Sequence, residues 1–250
     1  MTAVSFFRMH EALLNRQNYA EVFRATLANI QSSGLRLDSV RSCLAIGPGG
    51  GEYEIEFVKH CAANVSKFLA VEPDHESLEH LRRSLKISLS GVKCQVFETR
   101  AQNWEGPSDR VDLILMFQSL YFFGAHERQE LFKRMHNHWL TSGGYLAIAS
   151  ASRTKSPGNS QQIFDRLGTP CLPWKDIETD VQKAGFTKLY AYEMQGTLDL
   201  TNPDESLLRF YQYNGDRSAT LEYVRDVIKE LYPEGKPDAF DTMAIFKITN

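Results

Sequence analysis

The stretch running from Val40 to Pro73, VRSCLAIGPGGGEYEIEFVKHCAANVSKFLAVEP, constrains this chain more than any other. It begins with a short apolar run, Cys43-Leu44-Ala45-Ile46, that ends too abruptly for a helix. Gly47, Gly49, Gly50 and Gly51 follow, interrupted only by Pro48. Glycine lets the backbone turn at positive φ and brings it close to a ligand with no Cβ in the way. From Glu52 the pattern turns helical, with Ile55, Val58 and Ala62 on one face. Lys67 to Val71 is a second apolar run, closed at once by Glu72. The order is strand, glycine loop, helix, strand, acidic tip. A carboxylate about 20 residues beyond such a loop accepts the two hydroxyls of a ribose, so the pattern predicts a nucleoside-bearing ligand. The competing reading is a tight turn followed by a surface acid.

The details of the loop narrow the ligand. A phosphate-binding P-loop ends in Gly-Lys-Ser/Thr, which is missing here. A dinucleotide fingerprint needs a third glycine where Glu52 stands. An acid at a helix N-terminus repels a pyrophosphate and tolerates a cation or zwitterion. S-adenosylmethionine, with a sulfonium, an ammonium and no phosphate, suits Gly47, Gly49, Gly51 and Glu72 better than NAD does.

The segments AIGPGGGEYEIEF and AVEPDHESL resemble the small-molecule class I methyltransferases. They resemble more closely the histamine N-methyltransferase family, whose counterparts read much like SIGGGAGEIDL and VEPS. The likeness extends at low identity to FQSLYFF after the fourth strand, to the region of Cys171 and to a C-terminal strand. It implies a Rossmann-like fold, α/β, with a doubly wound, seven-stranded, mostly parallel sheet. It also implies S-adenosylmethionine as methyl donor and S-adenosylhomocysteine as product.

Residues 5–34 show helical periodicity, with Tyr19, Phe23, Leu27 and Ile30 on one side. Periodicity alone leaves Tyr19 and Phe23 as either a packing stripe or pocket aromatics; the resemblance implies the pocket. The family's substrate-anchoring glutamate falls on Ser32 in an ungapped count. Loss of such a charge pair costs about 2–5 kcal/mol. Asp74 reads as the N-cap of a helix to Leu89, with Ser77 where a capping box wants Glu. Val92–Phe97 alternates as a third strand. Arg100 and Ala101 follow it, in the turn that the resemblance sets against adenine. Val111–Met116 is a buried fourth strand that runs into Phe117, Gln118 and the aromatic Tyr121-Phe122-Phe123. Ligands of such sheets lie beyond the strands' carboxyl ends. Phe117 is therefore expected near adenine and Gln118 facing the transferred methyl. An amide among apolar residues needs a partner. Phe122 matches a family tyrosine, against a core role for Phe122 or Phe123.

Residues 126–140 form an amphipathic pattern with Leu131, Met135 and Trp139 inward. His136 and His138, two apart, diverge on a helix and are read as solvated, so no metal site is expected. Ser142-Gly143-Gly144 ends that helix before a fifth strand, Tyr145–Ala149. Residues 150–169 are polar and read as a cover over the crevice. Within and just after it, the resemblance carries Phe164 and Cys171 to the substrate pocket, while a family tryptophan is Ser160. A helix at 174–184, strand six from Phe186 to Thr201, two helices within 204–231 and a final strand, Met243–Thr249, complete the order. Asp241, just before that strand, sits where the family has an asparagine that bonds the substrate amine. It is either the proton-sharing partner of an amine or a turn acid.

At 250 residues, with a net charge of −3, the chain is long enough for one α/β domain and carries no basic footprint for nucleic acid. That domain divides into a helical cap (1–38), a cofactor core (40–150) and substrate-side elements (151–250). Four cysteines without CxxC spacing, two of them (Cys43 and Cys94) in strands, point to reduced core thiols and a cytoplasmic protein. Nothing reads as a membrane span or signal peptide, and a monomer is favoured. The expected activity is methyl transfer to a small molecule, an amine or imidazole nitrogen first. O-methylation of a hydroxyl or carboxylate, an inactive cofactor-binding regulator and, more distantly, a dehydrogenase are the alternatives.

Overall fold

The computed structural model describes residues 5–151, 159–169 and 172–248. They fall into two compact units. One is built from the described residues up to Val22, those from Ala151 to Pro173, and Glu193–Asp241. The other runs from Phe23 to Ser150, from Trp174 to Tyr192, and onward from Thr242.

The second unit carries most of a seven-stranded sheet. Its strands are β1 (Ser42–Ile46), β2 (Lys67–Val71), β3 (Lys93–Phe97), β4 (Val111–Phe117), β5 (Leu140–Ala151), β6 (Phe186–Thr197) and β7 (Asp238–Ile248), in the order β3-β2-β1-β4-β5-β7-β6. The pairs β1–β2, β1–β4, β2–β3 and β4–β5 are all parallel. Parallel strands need crossover helices. Three of these are α3 (Glu52–Cys61), α4 (His75–Ser88) and α5 (Ala125–Arg134), the last continued by a π-helical turn at Met135–Trp139. The doubly wound architecture that the resemblance implies is thus present.

Burial follows position in the sheet. Central β1 and β4 are almost wholly buried, as strands covered on both faces must be. Ile55 and Val58 of α3, and Ala62 at its C-cap, are buried as their spacing requires. Asp74 caps α4 by accepting the Ser77 N–H at 2.9 Å, and the Ser77 hydroxyl donates to the same carboxylate at 2.8 Å. Leu131, Met135 and Trp139 are buried, as expected.

Four expectations change. The helix read over 5–34 is two helices, α1 (Phe6–Leu14) and α2 (Tyr19–Ser32). Between them Gln17 forms an antiparallel bridge to Leu198, and Asn18 Oδ1 accepts the Thr197 N–H at 2.7 Å. Ser142-Gly143-Gly144 lies inside β5. The register jumps from Val111↔Leu140 to Leu113↔Tyr145, so the glycines form a bulge, with Gly143 at φ +73°. Cys94 is exposed because β3 is an edge strand; Cys43 is buried. His136 is half-buried against Phe186, their ring centroids 5.3 Å apart, whereas His138 is exposed.

The first unit has its own apolar core. Met9 of α1 packs there with Ile163 and Leu167 around α6 (Gln162–Arg166), and with Leu207, Leu208 and Tyr211 of α8 (Glu205–Asn214). Val224, Val227 and Ile228 of α9 (Leu221–Leu231) complete it. The remaining helix, α7 (Trp174–Lys183), belongs to the second unit, where the buried Arg128 and Asp180 side chains pair at 2.6 Å. Beyond β6 the Leu198 N–H donates to Pro237 O and the Leu200 N–H to Gly235 O. One partner advances by two as the other recedes by two, which is an antiparallel register. Among the described residues no helix is long and apolar enough to cross a membrane.

Candidate functional site

The glycine loop joins β1 to α3. Its path is fixed at both ends: the Gly47 N–H donates to Val71 O at 2.8 Å, and the Gly51 N–H closes onto Pro48 O at 2.9 Å. Gly49 lies at φ +56°, and a Cβ there would enter open space, so the missing side chain leaves room above the loop. Gly51 (φ +82°) serves packing. A Cβ on it would strike Leu81 of α4, whose absence of clearance holds α3 and α4 close.

Glu72 stands at the carboxyl end of β2, buried beside the loop. One of its carboxylate oxygens accepts the Gly49 N–H at 3.0 Å and the other the Asp74 N–H at 2.9 Å. Burial pushes its pKa up, and the two backbone donors oppose that rise. Each oxygen keeps lone-pair capacity for a further donor, which is what two ribose hydroxyls supply. The residues therefore fit an adenosine ribose: an aimed, pre-oriented acceptor next to a glycine-rich loop that is open at Gly49.

At the end of β4 the backbone takes an uncommon turn. Gln118 sits at φ +52° and is the sole non-glycine residue with positive φ among the described residues. Its N–H donates to Ala149 O of β5 at 2.7 Å. Strain of this kind costs about 1–3 kcal/mol and tends to gather where side chains are positioned for a task. Phe117, just before it, is buried, its ring edge-on to Phe57 and Phe23, both at 5.5 Å. Phe23 also lies 5.0 Å from Tyr53 of α3. Among the aromatics that follow, Phe123 is buried and Phe122 is exposed, 4.5 Å from Tyr121. The core role thus falls to Phe123. After β3, Ala101 is buried and Arg100 exposed, their carbonyls accepting the N–H groups of Trp104 and Asn103.

Of the other predicted residues, Tyr19, Phe164 and Asp241 lie in the first unit, Ser32 in the second, and Cys171 outside the described residues. Tyr19 and Asp241, both buried, line one small cavity of about 10 Å³ with Asn18, Met194 and Thr197 among their neighbours. Asp241 is not a turn residue, since β7 begins three positions earlier, at Asp238. Phe164 packs on Tyr211 at 5.2 Å in that unit's core. Ser32 is exposed, its hydroxyl turned to Asn29 O. Cys171 and most of the polar cover, residues 152–158, lie outside the described residues.

Two residues were missed from the sequence. Ser119 is buried and donates to Ile46 O at 2.9 Å, tying the end of β4 to the end of β1. Glu54 is 1% exposed within the first turn of α3. Its spacing of four from Val58 sets it on the inward stripe, which was the available signal. Among the described residues, no group of His, Cys, Asp and Glu is arranged to hold a metal ion.

The glycine loop after β1 and the acid after β2 stand at the carboxyl ends of neighbouring strands in a sheet of order 3-2-1-4-5-7-6, a Rossmann-like arrangement. Residues 43–144, which contain the glycine loop, Glu72 and the strands β2 to β4, match a family model described as "Methyltransferase domain". No curated protein matches the sequence. Solved structures share the fold at low identity. The N-methyltransferase NodS from Bradyrhizobium japonicum WM9, in complex with S-adenosylhomocysteine, is 13% identical with a TM-score of 0.55, covering 90% of this chain and 85% of its own. The cyclopropane synthase MmaA2 from Mycobacterium tuberculosis is 14% identical with a TM-score of 0.53, covering 89% and 83%. Geranyl diphosphate methyltransferase in complex with S-adenosylmethionine is 12% identical with a TM-score of 0.55, covering 90% and 85%. Their named activities differ, so the likeness speaks for the fold and leaves the acceptor to the chemistry of this chain's residues.

Proposed function

We propose that the protein transfers the methyl group of S-adenosylmethionine to a nitrogen of a small amine or imidazole-type molecule, histamine-like in chemistry. The observation that carries the donor half is the Gly49 N–H to Glu72 contact at 3.0 Å, which pre-orients the acid beside an open glycine loop. In this reading Gly47, Gly49 and Gly51 shape the loop, Glu72 holds the ribose, and Arg100, Ala101 and Phe117 border the adenine. The bound cofactor supplies an electrophilic methyl and its own leaving group. The chain supplies alignment, exclusion of water and one polar group to orient the acceptor, which together make up most of such a rate enhancement. Gln118, held in its strained turn, is that group, with Phe23 and Phe122 as aromatic walls.

For the acceptor, a buried carboxyl that shares a cavity with a tyrosine favours an amine: Asp241 stabilises an ammonium or takes its proton, and Tyr19 packs against it. Phe164 and Cys171 are the remaining candidates for substrate contact. O-methylation is the second reading. It would be favoured by turnover of hydroxyl or carboxylate acceptors from a panel in which histamine is tried first. A regulator without turnover would bind the cofactor and methylate none of them.

The decisive measurement is calorimetric binding of S-adenosylhomocysteine to the wild type and to Glu72→Ala. Loss of a charged hydrogen bond should weaken binding about tenfold or more in the variant. Absence of binding to the wild type would sink the donor assignment.

A further inference from the structure

Glu54 is a buried acid that the scheme above does not use. It is the third residue of α3, and its carboxyl group folds back to accept its own backbone N–H. Its Oε2 is buried and has no hydrogen-bond partner among the described residues. Among the described residues the groups that act on it come from three elements, and none supplies a positive charge: Glu52 on α3, Glu72 at the end of β2, and the buried Cys43 thiol of β1. Glu52 itself is turned onto the loop, its carboxylate lying where a Cβ on Gly50 would go, with His80 of α4 at 3.3 Å. Burial first, then Glu52 and Glu72, push the Glu54 carboxyl well above the usual carboxylate range. A buried carboxyl in such company is held neutral until a positive charge arrives.

We propose that Glu54 is a charge-selecting, positioning residue of the cofactor site. It ionises when a ligand with a cationic sulfur occupies the glycine loop and stays protonated when the sulfur is neutral. The inference rests on the donor assigned above. Donor and product cofactors differ by one methyl group and one positive charge. The charge is the part that an enclosed carboxyl senses without touching the ligand, because Coulomb interactions are strong where water is excluded. Linkage makes the effect reciprocal: by the factor that ionised Glu54 tightens the cation, the cation promotes ionisation of Glu54. The proton leaves to solvent as the donor binds. It returns to the carboxylate once methyl transfer has removed the charge, which weakens retention of the product.

The sign with pH follows. Raising the pH populates the ionised form, so preference for the donor over the product grows with pH and levels off once Glu54 is ionised without ligand. The test is calorimetry of S-adenosylmethionine and S-adenosylhomocysteine from pH 6 to 9, in buffers of different protonation enthalpy, on the wild type and Glu54→Gln. The wild type should release a fraction of a proton with the donor and none with the product. Its donor-to-product preference should rise about tenfold, the equivalent of one pKa unit. In Glu54→Gln the preference should be flat. Equal proton release with both ligands, or an unchanged slope in Glu54→Gln, overturns the inference while leaving the donor assignment intact. Failure of both ligands to bind the wild type overturns the two together. Should Glu54→Gln fail to fold, infrared difference spectra of the wild type decide. A protonated-carboxyl band must vanish with the donor and persist with the product; its persistence with both refutes the proposal.

Discussion

At Gln118 the usual ranking of alanine and glycine should reverse. Left-handed backbone costs an L-residue about 1–2 kcal/mol, a cost that glycine escapes. Glycine carries its own penalty relative to alanine of about 0.5–1 kcal/mol from the freedom of the unfolded chain. With φ at +52° the first quantity outweighs the second. Gln118→Gly should therefore be more stable than Gln118→Ala by up to about 1 kcal/mol, or a melting temperature higher by about 2–4 °C. The N–H to Ala149 O bond survives both changes, so the comparison isolates the backbone. The assay is paired thermal and urea unfolding of the two variants, followed by methyl-transfer rates. Both lack the amide, so both should be slow, and the added stability of the glycine variant should not restore turnover. An alanine variant as stable as the glycine variant refutes the strain argument. A glycine variant with the wild-type rate refutes the role assigned to the side chain.

Other consequences can be checked with similar means. Asp180→Ala strands the buried Arg128 guanidinium, which Asp180 accepts from at 2.6 and 2.9 Å, and should cost about 3–5 kcal/mol in urea unfolding. Gly51→Ala meets both a positive φ and Leu81, and should lose about 2 kcal/mol or more; a neutral result would mean that α4 yields freely. His10, stacked on Phe6 and near Phe210, has its pKa lowered to about 4 by burial. The unfolded chain takes up that proton first, so stability should fall by about 1–3 kcal/mol as pH drops from 6.5 towards 4. A His10→Leu variant should lose that part of the pH dependence, as read from melting temperatures across the range.

The features visible in the sequence were those written locally. An apolar run, a glycine cluster, a helical stripe and an acid are consecutive, so β1, the loop, α3, β2 and Glu72 could be placed without knowing anything distant. The misplacements depended on partners far along the chain. Gln17 leaves the helix because it pairs with Leu198. Ser142-Gly143-Gly144 looks like a helix end but is a bulge, because β5 must follow β4 on both sides of it. Asp241 belongs to a strand whose start is set by pairing beyond β6. Cys94 is exposed because only the strand order says that β3 has a single neighbour. The strained angle of Gln118 had no local signal, since glutamine is not a turn residue.

The place of β7 bears on how the molecule is made. It is the seventh strand to leave the ribosome, yet it lies between β5 and β6, and nearly every residue of it is buried. Until it arrives, β5 keeps one open edge and β6 has no neighbour in the sheet. A nascent chain stalled before Asp238 therefore offers unpaired strand edges to other chains and to chaperones. Loss of this one short segment would leave a gap inside the sheet, where loss of an outer strand would only narrow it.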